Sequence, residues 1–168
     1  MNSITLFNFD KPQEIDQWYS INDGVMGGVS LGSIFQLEPG VAQFRGSVSF
    51  ENNGGFSSIR TRPLTVSLAG YDGIELRIRG DGKKYKLRLK TNTGPDGLCY
   101  EVSFNTVKES WGDVRLSLKE AKAKYRAIKI PFVSQLKSER IKSLGLLISD
   151  KQEGSFYLDV DWIKAYKD

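Results

Sequence analysis

Apolar residues recur at every second position through most of the chain, a period that predicts strands rather than helices. Ile74, Leu76 and Ile78 alternate with Glu75, Arg77 and Arg79. After Gly80-Asp81-Gly82-Lys83, the residues Tyr85, Leu87 and Leu89 alternate with Lys84, Lys86, Arg88 and Lys90. Two such runs joined by a Gly-bearing turn predict a β-hairpin, because glycine supplies positive φ at low cost. Residues 41–50 read as a strand with Gly46 inside it, the mark of a bulge. Residues 57–62 read as a second strand, closed by Pro63. Leu98, Tyr100, Val102 and Phe104 alternate with Cys99, Glu101 and Ser103, and residues 145–149 read as a buried strand. In a terminal strand Phe156, Leu158, Val160 and Trp162 alternate with Tyr157, Asp159, Asp161 and Ile163, and Trp18, Trp111 and Trp162 read as core. Helix formers behind Ser117 predict a helix over 117–125, and Pro12 opens one or two turns over 12–18. Many short strands with few helices predict an all-β fold. The expected architecture is an antiparallel sandwich of jelly-roll type, one domain over residues 1–168, with one or two short helices.

Composition narrows the chemistry. At 168 residues and 39% hydrophobic, the chain can bury a core without disulfides or metal. Histidine is absent, which removes Ser-His-Asp triads, Cys-His dyads, imidazole bases and His-ligated zinc. The single cysteine, Cys99, excludes an intrachain disulfide and multi-Cys metal sites. It lacks an activating partner and reads as structural. Gly80-Asp81-Gly82 is too short for a phosphate loop, and no cofactor or metal is expected. The first residues have neither a basic leader nor a long apolar run, and no stretch approaches the ~18 apolar residues of a membrane span. A cytoplasmic location, or one peripheral to a membrane, is expected.

The net charge of +4 is unevenly placed: residues 1–60 carry 3 Lys+Arg against 6 Asp+Glu, and residues 77–142 carry 17 against 7. Arg77, Arg79, Lys84, Lys86, Arg88 and Lys90 should form one basic face of the expected hairpin. Such a face is either simply solvated or a dock for an acidic protein or phosphates. Nucleic acid is disfavoured, since Tyr85 falls on the apolar side and no ring interleaves for base stacking. Asp159 and Asp161 should project on one side at roughly 6.6 Å, near the spacing of inverting glycosidases. With Lys164 beside them they read as an exposed, solvated pair. A carboxylate hydrolase is the enzyme class that composition leaves open, and no catalytic residue is assigned.

Two segments are neither ordinary strand nor ordinary turn: Asn22-Asp23-Gly24-Val25-Met26-Gly27-Gly28-Val29-Ser30 and Glu51-Asn52-Asn53-Gly54-Gly55-Phe56-Ser57-Ser58-Ile59-Arg60. With Phe44-Arg45-Gly46 between them, they resemble the signature of the complex I intermediate-associated protein family. The resemblance continues through Tyr71-Asp72-Gly73-Ile74, Arg79-Gly80-Asp81-Gly82, Trp111, Ile148-Ser149-Asp150-Lys151 and Asp161-Trp162-Ile163. It departs at Leu116-Ser117-Leu118, where the family has an aliphatic-Pro-Phe stretch, and at Tyr125-Arg126-Ala127, where it has Phe-Arg-Gly.

The resemblance implies a galactose-binding-domain-like jelly roll without catalytic activity. It further implies a chaperone-like role in assembling a respiratory NADH dehydrogenase or a photosynthetic membrane complex, with protein subunits of that electron-transfer complex as partners. Asn22, Asp23, Glu51, Asn52, Asn53, Ser57, Arg60, Asp81 and Arg126 are the candidate partner- or ligand-binding residues, expected to converge in a groove. The same residues also fit plain turn architecture, with Glu51 or Asp23 neutralising Arg60. The alternative function is a carbohydrate-binding module in which Asn22, Asp23, Asn52, Asn53 and Arg60 hold the hydroxyls of a glycan.

Overall fold

A computed structural model describes residues 2–22, 31–49, 55–92, 98–125, 128–129, 135–149 and 152–168, with backbone alone at 22, 125, 128 and 129. The strands, in chain order, are β1 (Asn2–Phe7), β2 (Trp18–Asn22), β3 (Leu31–Glu38), β4 (Val41–Val48) and β5 (Ser57–Thr61). They continue with β6 (Gly73–Gly80), β7 (Lys84–Lys90), β8 (Leu98–Asn105) and β9 (Trp111–Ser117), and end with β10 (Lys122–Tyr125), β11 (Ile128–Lys129), β12 (Ser143–Ile148) and β13 (Gly154–Lys167). They form two antiparallel sheets. One has six strands, in the order β3-β4-β13-β6-β9 with β1 on β13; the other has seven, in the order β11-β10-β8-β7-β12-β5-β2. The long β13 pairs with β4 over its first half and with β1 over its second. This is the expected antiparallel jelly-roll sandwich.

Alternation decides which side of each strand meets the core. Phe44, Leu76, Ile78, Leu158 and Ile163 point inward from one sheet, and Ile59, Leu87, Leu89, Leu144 and Ile148 from the other. Each such side chain contributes roughly 1.5–3 kcal/mol by leaving water. Phe7, Phe9 and Trp18 close one end as an aromatic cluster.

The expected hairpin over 74–90 does not form. β6 pairs with β13 and β9, whereas β7 pairs with β8 and β12, so the two strands lie in opposite sheets. Gly80-Asp81-Gly82-Lys83 is an arch between the layers. A hairpin and an arch both place Ile78 and Tyr85 inward, so alternation does not separate them. What selects the arch is its clamp. Asp81 accepts hydrogen bonds from the Lys83 amide (3.1 Å), the Tyr85 hydroxyl (3.0 Å) and the Tyr157 amide (3.0 Å). Thr106 donates to the Lys83 carbonyl (2.8 Å) and accepts from the Gly82 amide (3.0 Å).

Other expectations shift for local reasons. The predicted helix over 117–125 is a single 3-10 turn, Leu118–Glu120, capped by Ser117, followed by β10. Ala123 packs in the core and the segment pairs with β8, so tertiary pairing overrides helix propensity. The turn over 12–18 appears as a 3-10 helix, Pro12–Gln17. Gly46 marks no bulge, because its register to Gly32 and Phe156 is unbroken. Glycine is needed there for close approach: a Cβ would run into the Leu31 carbonyl oxygen. The bulge lies in β13 instead, where Val160 pairs with Ile78 and Trp162 with Arg77, leaving Asp161 as the extra residue. Ile163 therefore takes the inward position, and Trp162 is half-buried on the outer side. Trp111 is also half-buried rather than core, and Trp18 alone of the three is fully buried.

Candidate functional site

The expected polar cluster does not converge among the described residues. Ser57 and Arg60 lie three apart on β5 and so point to opposite sides. Ser57 is fully buried between the sheets beneath Gly32, and Arg60 is on the outer side, 8% exposed. Asp81 is committed to the arch. Asp23, Glu51, Asn52, Asn53, Arg126 and the side chain of Asn22 lie outside the described residues.

The expected single basic face divides between the outer sides of the two sheets. On the six-stranded sheet, one line of contacts crosses five strands. The Arg79 guanidinium sits 4.6 Å from the Trp111 ring centroid, and its Nε donates to Asp159 (2.8 Å). Gln43 donates to the other Asp159 oxygen (2.8 Å) and accepts from Arg45 (3.1 Å), which lies 4.2 Å over Phe35. Arg77 pairs with Asp113 (2.9 Å) and Asp161 (3.6 Å). The expected solvated carboxylate pair is thus two separate ion pairs, and Asp159 is buried at 1% exposure.

On the seven-stranded sheet, Tyr19, Arg60, Gly145, Arg88, Glu101 and Lys122 stand in one register row from β2 to β10. Gly145 carries no side chain, so the middle of the row is recessed between Arg60 and Arg88. Glu101, 5% exposed, accepts from Arg88 Nε (2.7 Å) and pairs with Lys124 Nζ (3.1 Å), with Lys86 Nζ at 3.9 Å. Burial alone would raise the Glu101 pKa, but the charges of Arg88 and Lys124 and their hydrogen bonds outweigh it and hold the carboxyl below its ordinary value. Lys86 and Lys90 are buried, not on an open face, and Lys84 alone of the β7 cations is exposed. Cys99, opposite Lys90, is buried, and desolvation raises its pKa against the pull of Arg88. It therefore stays a thiol at neutral pH.

Two hollows flank this row. A cleft of about 20 Å³ is lined by Tyr19, Arg60, Lys90, Asn92, Lys142 and Ser143 with Thr61 and Pro63, and an open groove of about 540 Å³ by Glu101, Val102, Ser103, Lys119, Glu120, Lys122 and Lys124. Tyr19, Lys142, Lys122 and Glu101 were not singled out from the sequence. The alternation of Lys122-Ala123-Lys124 was the available signal, masked by helix-forming residues. Among the described residues no group of acidic and thiol side chains could hold a metal ion, and no helix is long and apolar enough to cross a membrane.

Two antiparallel sheets in this strand order define a sandwich of jelly-roll type. The fold is shared with a family 11 carbohydrate-binding module from Clostridium thermocellum in complex with a beta-1,3-1,4-mixed-linked tetrasaccharide. That structure is 16% identical, over 98% of this chain and 95% of the module, with a TM-score of 0.66; at this identity the likeness is one of fold alone. Residues 7–160 match the family model of Complex I intermediate-associated protein 30 (CIA30), and the chain belongs to that family. It is 22% identical to the mouse Complex I intermediate-associated protein 30, mitochondrial, over 97% of this chain and 56% of the mouse protein. It is likewise 22% identical to the probable Caenorhabditis elegans protein of that name, over 96% of this chain and 54% of the relative. The chain thus spans about half the length of these curated relatives.

Proposed function

We propose that this chain is a non-catalytic binding module that assists the assembly of a membrane-bound NADH dehydrogenase, holding an unassembled protein subunit against the outer side of its seven-stranded sheet. The observation that carries this reading is the family match over residues 7–160, together with relatives named for complex I intermediates. The structure supports a binding role in a second way. On the outer sides the carboxylates of Asp113, Asp159, Asp161 and Glu101 are each held in ion pairs. The module would act where the subunit is exposed, in the soluble phase or at the membrane surface. Removing the chain from its native cells should lower assembled NADH dehydrogenase and leave subassemblies on native gels, with recovery on re-expression. Normal levels of the assembled complex in its absence would refute the reading.

A glycan-binding role is the second reading, favoured by the half-buried rings of Trp111 and Trp162 on the six-stranded sheet. Each of those rings carries a cation at its face, Arg79 at 4.6 Å and Lys164 at 4.3 Å, which competes with a stacking sugar. Calorimetric titration with the mixed-linked tetrasaccharide decides it: binding supports this reading, and no heat removes it.

A further inference from the structure

We propose that one end of the sandwich, formed by residues 62–70 and 137–142, is a docking surface for an anionic lipid bilayer. This rests on the binding role proposed above and adds where the module stands while it holds a subunit.

The fold builds this surface. Residues 62–72 cross from β5 in the seven-stranded sheet to β6 in the six-stranded sheet, and so cover the end between the layers. Residues 137–142 lead into β12 and run alongside in the opposite sense. The Leu64 amide donates to the Lys142 carbonyl (2.8 Å), and the Gly70 amide donates to Ser138 Oγ (3.1 Å). Beneath them Leu68, Leu136 and Ile141 are buried in the core, with Leu64 packed against it. Both segments are thus anchored from below, and their outward side chains stand on a fixed base.

The charge on this base has one sign. Arg62, Lys137, Arg140 and Lys142 are all exposed, and among the described residues none of them is in an ion pair. Residues 62–71 contain no carboxylate, and Glu139 is the one acidic residue of 137–142. Arg62 Nε donates to the Asp16 carbonyl (3.3 Å), a contact that leaves its charge in place. At the margins Asp16 is exposed, Asp168 pairs with Arg115 (3.0 Å), and Asp72 accepts from the Asp168 amide (2.8 Å).

Val66 tells lipid from other anions. Leu64 and Leu68, two positions to either side, serve the core, whereas Val66 is 40% exposed among the cations. An apolar side chain set among basic ones suits a bilayer interface: the cations meet anionic headgroups, and the valine enters the boundary beneath them. An acidic protein segment would use the cations alone. Nucleic acid would lack a stacking ring, since Tyr71 beside the surface carries the Lys167 ammonium at 4.8 Å. Docked by this end, both sheets stand upright on the bilayer, and the outer side of the seven-stranded sheet stays open to a subunit.

The test is co-sedimentation of the whole chain with vesicles at low salt. Vesicles of phosphatidylcholine with about a third phosphatidylglycerol should carry the chain down, and pure phosphatidylcholine should not. Binding should fall steeply as salt rises. Lys137→Gln combined with Arg140→Gln should weaken it about twentyfold, at roughly fivefold per charge. Val66→Ser should weaken it a few fold without changing its salt dependence. Lys84→Gln combined with Lys108→Gln, exposed cations at the opposite end, should bind as wild type does. Lys142 is left in place because it also borders the cleft on the seven-stranded sheet. Equal sedimentation with both kinds of vesicle, or undiminished binding by the Lys137→Gln, Arg140→Gln variant, overturns the proposal. So does a Glu/Ser-repeat peptide that binds more tightly than the vesicles and is lost in the same variant, which would make the surface a dock for an acidic protein. Vesicle binding needs no client subunit, so its failure leaves the assembly reading to stand or fall on the native gels alone.

Discussion

The two outer sides of this sandwich use similar residues to opposite ends. On the six-stranded sheet, arginines stand beside carboxylates and aromatic rings, so that Trp111, Arg79, Asp159, Gln43, Arg45 and Phe35 form one closed chain of contacts. On the seven-stranded sheet, Arg88, Lys124 and Lys86 gather around the buried carboxylate of Glu101, and Lys84, Lys122 and Lys142 stand exposed. A neutralised, pre-organised side stabilises; a side with cations around hollows can recruit. A count of basic residues thus says little about function until their partners are known.

The two sides differ most at Glu101. Glu101→Gln leaves Arg88, Lys86 and Lys124 gathered around a neutral group and should cost about 3 kcal/mol, read from urea unfolding. A loss well below that would mean that the seven-stranded side does not depend on this centre. Asp159→Asn on the other side should cost about 2 kcal/mol, less because Arg79 is partly solvated and keeps Trp111 beneath it. It should leave vesicle binding unchanged. Asp81→Ala, which touches neither side, should cost roughly 1–3 kcal/mol by leaving the Tyr157 amide without its acceptor and the buried Tyr85 hydroxyl with only the Tyr157 carbonyl.

Acid titration probes the same centre. The Glu101 pKa is lowered in the folded chain, so its stabilisation is complete above the unfolded value of about 4.3 and is lost as pH falls through the lower folded value. The urea midpoint should drop with acid in that window for wild type, and Glu101→Gln should flatten that part of the profile. The smallest expected effect is on stability in Lys142→Glu, within about 0.5 kcal/mol. Paired with the loss of captured subunits expected for this variant, that is the contrast between a recruiting and a supporting position.

Much of the fold was legible because strand alternation reports which side of each strand is buried, and the sandwich follows from Ile74–Ile78, Tyr85–Leu89 and Tyr100–Phe104 alike. What alternation leaves open is which strand lies beside which. β6 and β7 carry the same inward pattern in a hairpin or across the layers, and the choice rests on Asp81 reaching the Tyr157 amide from 76 positions away. A bulge is equally hidden, since one extra residue at Asp161 turned Trp162 outward without disturbing the reading up to Val160. Arg60 was legible as a candidate residue from its motif. Tyr19, Lys90 and Lys142 joined it only through pairing across β2, β5, β12 and β7, which no local pattern reports.

On the proposed function, the seven-stranded side recruits and the six-stranded side supports. Affinity capture of the tagged chain from its native cells tests it directly, comparing wild type with Lys142→Glu and with Lys164→Glu. Subunits of NADH dehydrogenase should be recovered with wild type and Lys164→Glu and lost with Lys142→Glu. Equal recovery with Lys142→Glu, or loss confined to Lys164→Glu, would contradict it.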